Sequence, residues 1–455
     1  MLPENIENKA ESIEIPTRYT DAFLAEHLAQ HLVGKALYWR DAGKWLIWDG
    51  LRWSAEVPGG IVHIVKGLIK TILGQIANAD DMEPVDRAKN FRAASQCEYV
   101  RRMDNLIVSL SQIPELIVRS WQLDANPMLI NCINGTVDLS SGTLKQHERS
   151  DNITKLCKIK FQLDAICPVF DKFLIQIFNK NNELINYVQR LAGYCLTGST
   201  DEQVMAFFYG TGRNGKTTLI NVLLNLLSEY AVTAQADLLM QRSREGANNE
   251  LARLRGSRFV AVNEVEEGSK LAEAQLKTLT GGDTVTARFL YQEYFEYVPQ
   301  FKLILVGNHK PKIRGRDNGI WRRIHLVPFE VTIPLAECDP MLPVKLMQES
   351  SGIFSWAVQG CLEWRRHGLQ APKLVLDATA QYRNAEDHFN SWINECCERD
   401  ANGAATPESL LTSFVTYTGW NHITATKLGL LLTEEGFQKH NSGSARLWLG
   451  IRVVK

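Results

Sequence analysis

The 455-residue chain has no excess charge of either sign. Lysine plus arginine total 50 and aspartate plus glutamate 51, for a net charge of −1. A uniformly basic coat is therefore excluded, and any nucleic-acid contact must come from local patches. Long hydrophobic runs are missing too. A membrane helix needs ~18 or more uninterrupted apolar residues, and the most apolar stretch, IVHIVKGLIKTILG, is too short and carries Lys66 and Lys70. The nine cysteines show no CxxC spacing, their number is odd, and Cys396 and Cys397 are adjacent. This argues against a disulfide framework or a zinc site and fits a reducing cytosol. There is no low-complexity block and no repeat at a solenoid period. The opening MLPENIENKAESIEIP lacks the basic start and apolar centre of a secretion signal and reads as a frayed tail.

What is present is an ordinary soluble composition, 45% hydrophobic and 22% charged. At roughly 150 residues each, about three domains are expected. Helical spacing runs from Thr20 to about Gly34. KALYWRDAGKWLIWDGLRWSAE then alternates aromatic and polar residues around Gly43 and Asp49-Gly50, the pattern of a small antiparallel sheet. Its tryptophans, Trp39, Trp45, Trp48 and Trp53, are expected in the core rather than stacked on bases. Residues 61–78 and 84–120 read as helical. PMLINCINGTVDLSSGTL reads as strands turning at Asn134-Gly135 and Ser141-Gly142, and 168–197 as helical again. From Met205 the buried-type strands MAFFYG, RFVAVNE and FKLILVGN alternate with helices, which implies an α/β sheet flanked by helices. After Pro334 the chain is helical to about Asn384. From Glu386, three helices followed by FQKHNSGSARLWLGIRVV have winged-helix grammar.

The chemistry begins at Gly210-Thr211-Gly212-Arg213-Asn214-Gly215-Lys216-Thr217, followed by Thr218. This fits GxxxxGK[ST] in full, between an expected strand and an expected helix. Such glycines let backbone N–H groups curl around phosphates, and the helix N-terminus adds partial positive charge. Lys216 reaches the β and γ phosphates, and Thr217 holds Mg²⁺. An acidic partner is needed at a neighbouring strand end, and RFVAVNE supplies Glu264, followed by Glu266 and Glu267. Glu264 suits the orientation of an attacking water and Glu266 a metal contact through water. Glu267 reads as a solvated loop residue. Asn308 ends FKLILVGN, where an amide can touch the γ-phosphate or serve only as a turn former.

The ordered set GTGRNGKT, RFVAVNEVEEG, LKTLTGGD, LILVGNHKP and GIWRRIHLVPF resembles the ATPase core of superfamily 3 helicases. More narrowly it resembles the phage/plasmid primase-helicase branch related to the poxvirus NTPase/primase. WLIWDGLRW and INGTVDLSSGTL resemble the accessory domain that precedes that core, and the tail resembles its winged helix. The resemblance implies an AAA+-like P-loop ATPase core at 201–335. Around it lie a tail (1–16), an α+β accessory domain (17–165), a helical collar (166–200), a helical connector (336–385) and a winged helix (386–455). It implies ATP and Mg²⁺, with Lys216 and Thr217 as the phosphate-loop pair, Glu264 as catalytic acid and Asn308 as sensor. Arg322 and Arg323 match the pair that serves a neighbouring subunit's nucleotide. Asn263 stands where many P-loop ATPases have Asp, so metal binding rests on Thr217, Glu264 and Glu266.

The same resemblance implies a homohexameric ring around one DNA strand, moving 3′ to 5′ at a fork or origin, in the cytoplasm of a bacterial host of a phage or mobile element. TVTARFLYQEYFEYVPQ reads as a hairpin, where the family grips DNA, with Arg288, Tyr291 and Tyr294 placed to contact it. In the tail, Lys439, Arg446, Arg452 and Lys455 form a surface free of acids over 436–455. Residues 1–200 show no paired strand-end carboxylates for two-metal nucleotidyl transfer. A primase or polymerase is therefore expected on another chain. The alternatives are an ATP-regulated replication initiator and a DNA-remodelling NTPase without processive unwinding.

Overall fold

The computed structural model describes residues 13–55, 59–241, 249–263, 265–290, 293–313, 317–420, 423–442 and 445–454. In the N-terminal part, three amphipathic helices share one core. Asp21–Leu32 contributes Leu24, Leu28 and Leu32. Gly60–Ala77 contributes Ile61, Val65, Ile69, Ile72 and Ile76, and Val100–Leu110 contributes Met103, Leu106 and Leu110. Gly60–Ala77 is long and apolar enough to cross a membrane, and its isoleucine stripe is buried in this core. Beside the helices lies a sheet in the order Trp53–Ala55, Lys44–Trp48, Ala36–Trp39, Ile117–Val118. Trp45 and Trp53 are buried, and Trp39 and Trp48 pack half-buried against the sheet's small core.

The helix expected over 84–120 is broken. Pro84–Ser95 and Val100–Leu110 are separated at Tyr99, whose backbone is extended. Proline at 114 then holds Ile113 in the extended region, and the chain continues into the Ile117–Val118 strand.

The central sheet is wholly parallel. Its spatial order is Ile324–Pro328, Met205–Tyr209, Lys302–Gly307, Phe259–Asn263, Ala231–Gln235. Both faces are covered, which explains the nearly continuous apolar runs of its strands. Ala206, Phe208, Ala261, Ile304 and Val306 point to one core, and Phe207, Val260, Val262, Leu303 and Leu305 to the other. The first of these cores also takes in Ile130, Val137 and Phe161, the helices Pro168–Ile177 and Asn182–Leu196, and the helix Ser350–His367. It therefore runs across the divisions at 165, 200 and 335 that the resemblance implies.

Asn182–Leu196 and Ser350–His367 touch through backbone. A Cβ on Gly193 would fall 2.0 Å from Cys361 N, and one on Gly360 would fall 2.1 Å from Gln189 O. Main chain cannot move aside as a side-chain tip can. Gly193→Ala should therefore cost about 1–3 kcal/mol, read as a lowered Tm.

A second stability prediction concerns acid. His325 on the edge strand lies 2.8 Å from the Tyr187 hydroxyl through Nδ1, and burial pulls its pKa down to about 4. The fold keeps the ring neutral, whereas the unfolded chain protonates it near 6.5. Above pH ~6.5 the group is neutral in both states and indifferent. As pH falls from there towards 4, the unfolded state gains protons and the fold loses up to about 3 kcal/mol. Tm should drop less steeply across that window in His325→Gln.

The C-terminal part has its own core around Trp392, Leu410, Phe414, Leu428, Trp448 and Ile451. Its helices are His388–Cys396, Pro407–Thr418 and Ala425–Glu434, and its ribbon pairs Gln438–Ser442 with Ala445–Val453. A third strand, Cys397–Ala405, pairs with Ala445–Val453. The sequence CERDANGAA gives no apolar alternation to announce it, and its register shifts between Arg399 and Ala404.

Candidate active site

Numbered in chain order, the central strands run 5-1-4-3-2. The chain leaves strand 1 for the far edge, returns to strand 4 beside it, then crosses to its other side. Ligands of open parallel sheets bind at such a switch point, beyond the carboxyl ends of the strands. A cleft of about 550 Å³ opens there, lined by Gly212–Thr218, Asn263, Glu266, Asn308 and His309 among others.

The glycine-rich loop takes its shape from local chemistry. Gly215 has φ +82° at the N-cap of the Lys216–Leu227 helix, and a Cβ there would lie 2.4 Å from Ile177 Cγ2. Glycine is required on both counts. Gly212 also has positive φ, and so does Arg213, whose carbonyl accepts from Ile333 N at 2.8 Å. Gly210 is buried, and Thr211 and Thr217 are exposed. Thr218 is half-buried on the first turn of the helix.

Lys216 is 5% exposed. Its Nζ donates to Gly210 O at 2.7 Å, Asn214 Oδ1 at 3.0 Å and Asn308 Oδ1 at 3.2 Å. All three acceptors are neutral oxygens, and burial lowers the lysine pKa. An anion entering the cleft would supply the missing charge. Asn214 is itself fixed by donation from Nδ2 to Phe329 O at 3.3 Å. The residues thus fit a phosphate. For a metal, exposed Thr217 and Glu266 face the same cleft. Among the described residues no group of three His, Cys, Asp or Glu side chains is gathered. Glu264 lies outside the described residues.

Arg322 and Arg323 are not in this cleft. They precede the strand Ile324–Pro328, whose first residue pairs with Met205, so they sit at the amino ends of the strands. Five strand residues, about 17 Å, separate that edge from the loop. Arg323 Nη1 donates to Gly319 O at 2.6 Å, and Nη2 of each arginine reaches Gln203 Oε1, at 2.9 Å from Arg322 and 3.4 Å from Arg323. Arg322 is exposed, and Arg323 is 9% exposed with Nε unpartnered.

The expected hairpin forms from Val285–Ala287 and Phe295–Tyr297. Tyr294 is 63% exposed and Arg288 lies 4.6 Å over its ring. Tyr291 lies outside the described residues. In the tail, Lys439 and Arg446 are exposed on the ribbon. Arg452, by contrast, pairs with Asp400 at 2.9 Å. The unforeseen third strand brings that acid to a surface expected to be free of them. Lys455 is also outside the described residues.

Sequence reasoning missed several polar residues. His309 lines the cleft with no signal beyond its place after a strand end. Lys302 and Arg258, at strand starts, are buried. Lys302 donates to Thr197 O, and to Ser199 O and Gln300 O at 3.2 Å. Arg258 donates to Leu196 O at 2.6 Å and Leu129 O at 2.7 Å. Together they fasten the end of the Asn182–Leu196 helix beneath the sheet.

The fold and cleft define an α/β protein with a glycine-rich, anion-fitting loop at the switch point of a parallel sheet. Comparison with known proteins narrows this. The family described as D5 N terminal like matches residues 23–179, and a family of unknown function (DUF5906) matches 208–323. A protein of Acanthamoeba polyphaga mimivirus, provisionally named a helicase, is 30% identical over 295 residues, covering 60% of this chain and 31% of its own. One of frog virus 3, also provisionally named a helicase, is 29% identical over 51% of this chain and 26% of its own. The fowlpox virus protein named primase D5 is 23% identical over 48% and 29%. The chain thus spans about a third or less of the length of these relatives. The apo A form of the NrS-1 C-terminal region shares the fold, with a TM-score of 0.51 at 11% identity over 95% of this chain and 100% of that one. Over these segments the chain is similar to D5-like proteins that bear helicase and primase names. The relatives named here come from viruses of eukaryotes, so the expected bacterial host has no support among them.

Proposed function

We propose that this chain is an ATP-hydrolysing DNA helicase motor whose active cleft is built on Lys216. The observation that carries this reading is the buried Lys216 ammonium. It has only neutral acceptors and opens into a cleft at the switch point of a parallel sheet. The 5-1-4-3-2 strand order supports an AAA+-like core, and the relatives' helicase names support the coupling to DNA.

In this reading the loop backbone and Lys216 bind and orient the triphosphate, and Asn308 holds Lys216 in register while facing the γ-phosphate. Glu264 orients water. A bound Mg²⁺, held by Thr217 and through water by Glu266, would offset phosphate charge. Arg322 and Arg323 complete the cleft of the next subunit in a homohexamer. The hairpin residues Arg288, Tyr291 and Tyr294 and the winged-helix ribbon residues Lys439 and Arg446 contact DNA. Primer synthesis belongs to another polypeptide.

The test is titration of the purified chain with ATP and Mg²⁺, then turnover with and without single-stranded DNA. Binding, hydrolysis and stimulation by DNA are expected. Failure to bind ATP would refute the assignment of the cleft.

A further inference from the structure

One charged side chain joins the N-terminal sheet to the hairpin. The guanidinium carbon of Arg255 lies 5.0 Å from the centroid of Trp39 and 5.2 Å from that of Phe295. Trp39 is a sheet residue of the N-terminal part, its ring fixed by donation from Nε1 to Ser120 Oγ at 2.9 Å. Phe295 is a base residue of the hairpin, paired with Ala287 across it. It also stacks on Phe289, at 5.9 Å and 29° between planes. Phe289 is 40% exposed and adjoins Arg288, which lies over the exposed Tyr294. A row of flat groups thus runs from the N-terminal sheet through Arg255 to the outer hairpin. The hairpin has a second tether, donation from the Tyr297 hydroxyl to Leu251 O at 2.6 Å. That one ends on the segment bearing Arg255 and does not reach the N-terminal part. Burial depresses the Arg255 pKa, while Asp41 and Asp124 of the N-terminal part favour its charge.

We propose that Arg255 is a positioning residue that fixes the DNA-contacting hairpin against the N-terminal domain through its shared contact with Trp39 and Phe295. The inference rests on the reading of the hairpin given under Proposed function. It gives the accessory domain a role, that of a brace setting how firmly the hairpin is presented. A guanidinium suits the place because its planar, weakly hydrated face packs on rings while keeping its charge. An ammonium would keep the charge and lose the plane.

The test is hydrogen exchange by mass spectrometry on the intact chain, paired with binding of single-stranded DNA. In Arg255→Ala the amides of Val285–Ala287 and Phe295–Tyr297 should exchange about tenfold faster, with those of Phe259–Asn263 unchanged. Arg255→Lys should be intermediate. Trp39→Ala should reproduce the effect and add little to Arg255→Ala in the double variant, since both remove one contact. DNA affinity should fall about fivefold or more in step with exchange, and basal ATP turnover should stay within about twofold. Unchanged hairpin exchange in Arg255→Ala would overturn the brace. So would a rise spread equally over the central sheet, or additive effects in the double variant. Faster exchange with unaltered DNA affinity would overturn its role in DNA contact. Exchange needs no ATPase activity, so failure of the helicase reading would show separately, as absent turnover in the unaltered chain.

Discussion

Lys216→Ala should lower ATP turnover by about 10³-fold or more while leaving the fold in place. The side chain is a cation that reaches Gly210, Asn214 and Asn308 together. Its removal takes the positive charge from the point where phosphate charge builds during transfer. The polar partners left behind are an amide pair and a carbonyl at an open cleft, where water can replace the ammonium, so the penalty for unmade bonds is small. Tm should therefore fall by only a few degrees, and circular dichroism should be unchanged. Lys216→Met, which keeps the length, should be equally inactive. Substantial turnover by either variant would move the active site elsewhere.

Changing both Arg322 and Arg323 to Ala should leave ATP binding intact and lower turnover by about 10³-fold. The sheet register explains why binding is spared: the pair sits at the amino ends of the strands and the loop at the carboxyl ends. Within one subunit, the arginines cannot touch the phosphates. If they act on the nucleotide, they do so across a subunit boundary. Arg322 is exposed and, among the described residues, its side chain is tied only to that of Gln203, so it can swing outward, whereas buried Arg323, tied to Gly319 O, is placed to set the turn. Mixing the double variant with Lys216→Ala protein should then restore a minority of active interfaces, at concentrations that allow subunits to exchange. No recovery from mixed rings would show that the arginines act in their own subunit or not at all.

The loop was legible in the sequence because its signal is local. Eight consecutive residues specify the turn, the helix start and the cation, and the Met205–Tyr209 and Lys216–Leu227 elements flank it as expected. Lys216 and Asn308 are ninety-two positions apart, and their contact at 3.2 Å was foreshadowed only by the place of Asn308 at a strand end. Features that depend on tertiary pairing were not legible. Nothing in CERDANGAA announces a strand, because its charges are consecutive rather than alternating with apolar residues and its partner lies some fifty residues on. Arg452 therefore looked free. Lys302 and Arg258 gave no signal, because a cation at a strand start is usually solvated. Here carbonyls at and just beyond the end of the Asn182–Leu196 helix accept their hydrogen bonds. The brace at Arg255 was hidden for the same reason, as its two rings come from positions 39 and 295.

The central claim, that the cleft on Lys216 drives DNA unwinding, is tested most directly by strand displacement on a forked duplex. The purified chain is given ATP and Mg²⁺, and the Lys216→Ala protein serves as control. The account predicts ATP-dependent release of the displaced strand by the unaltered chain, none by the variant, and none with a non-hydrolysable ATP analogue. Robust ATP hydrolysis stimulated by DNA, with no strand released at any protein concentration that forms rings, would contradict it. The protein would then be a DNA-dependent NTPase rather than a helicase.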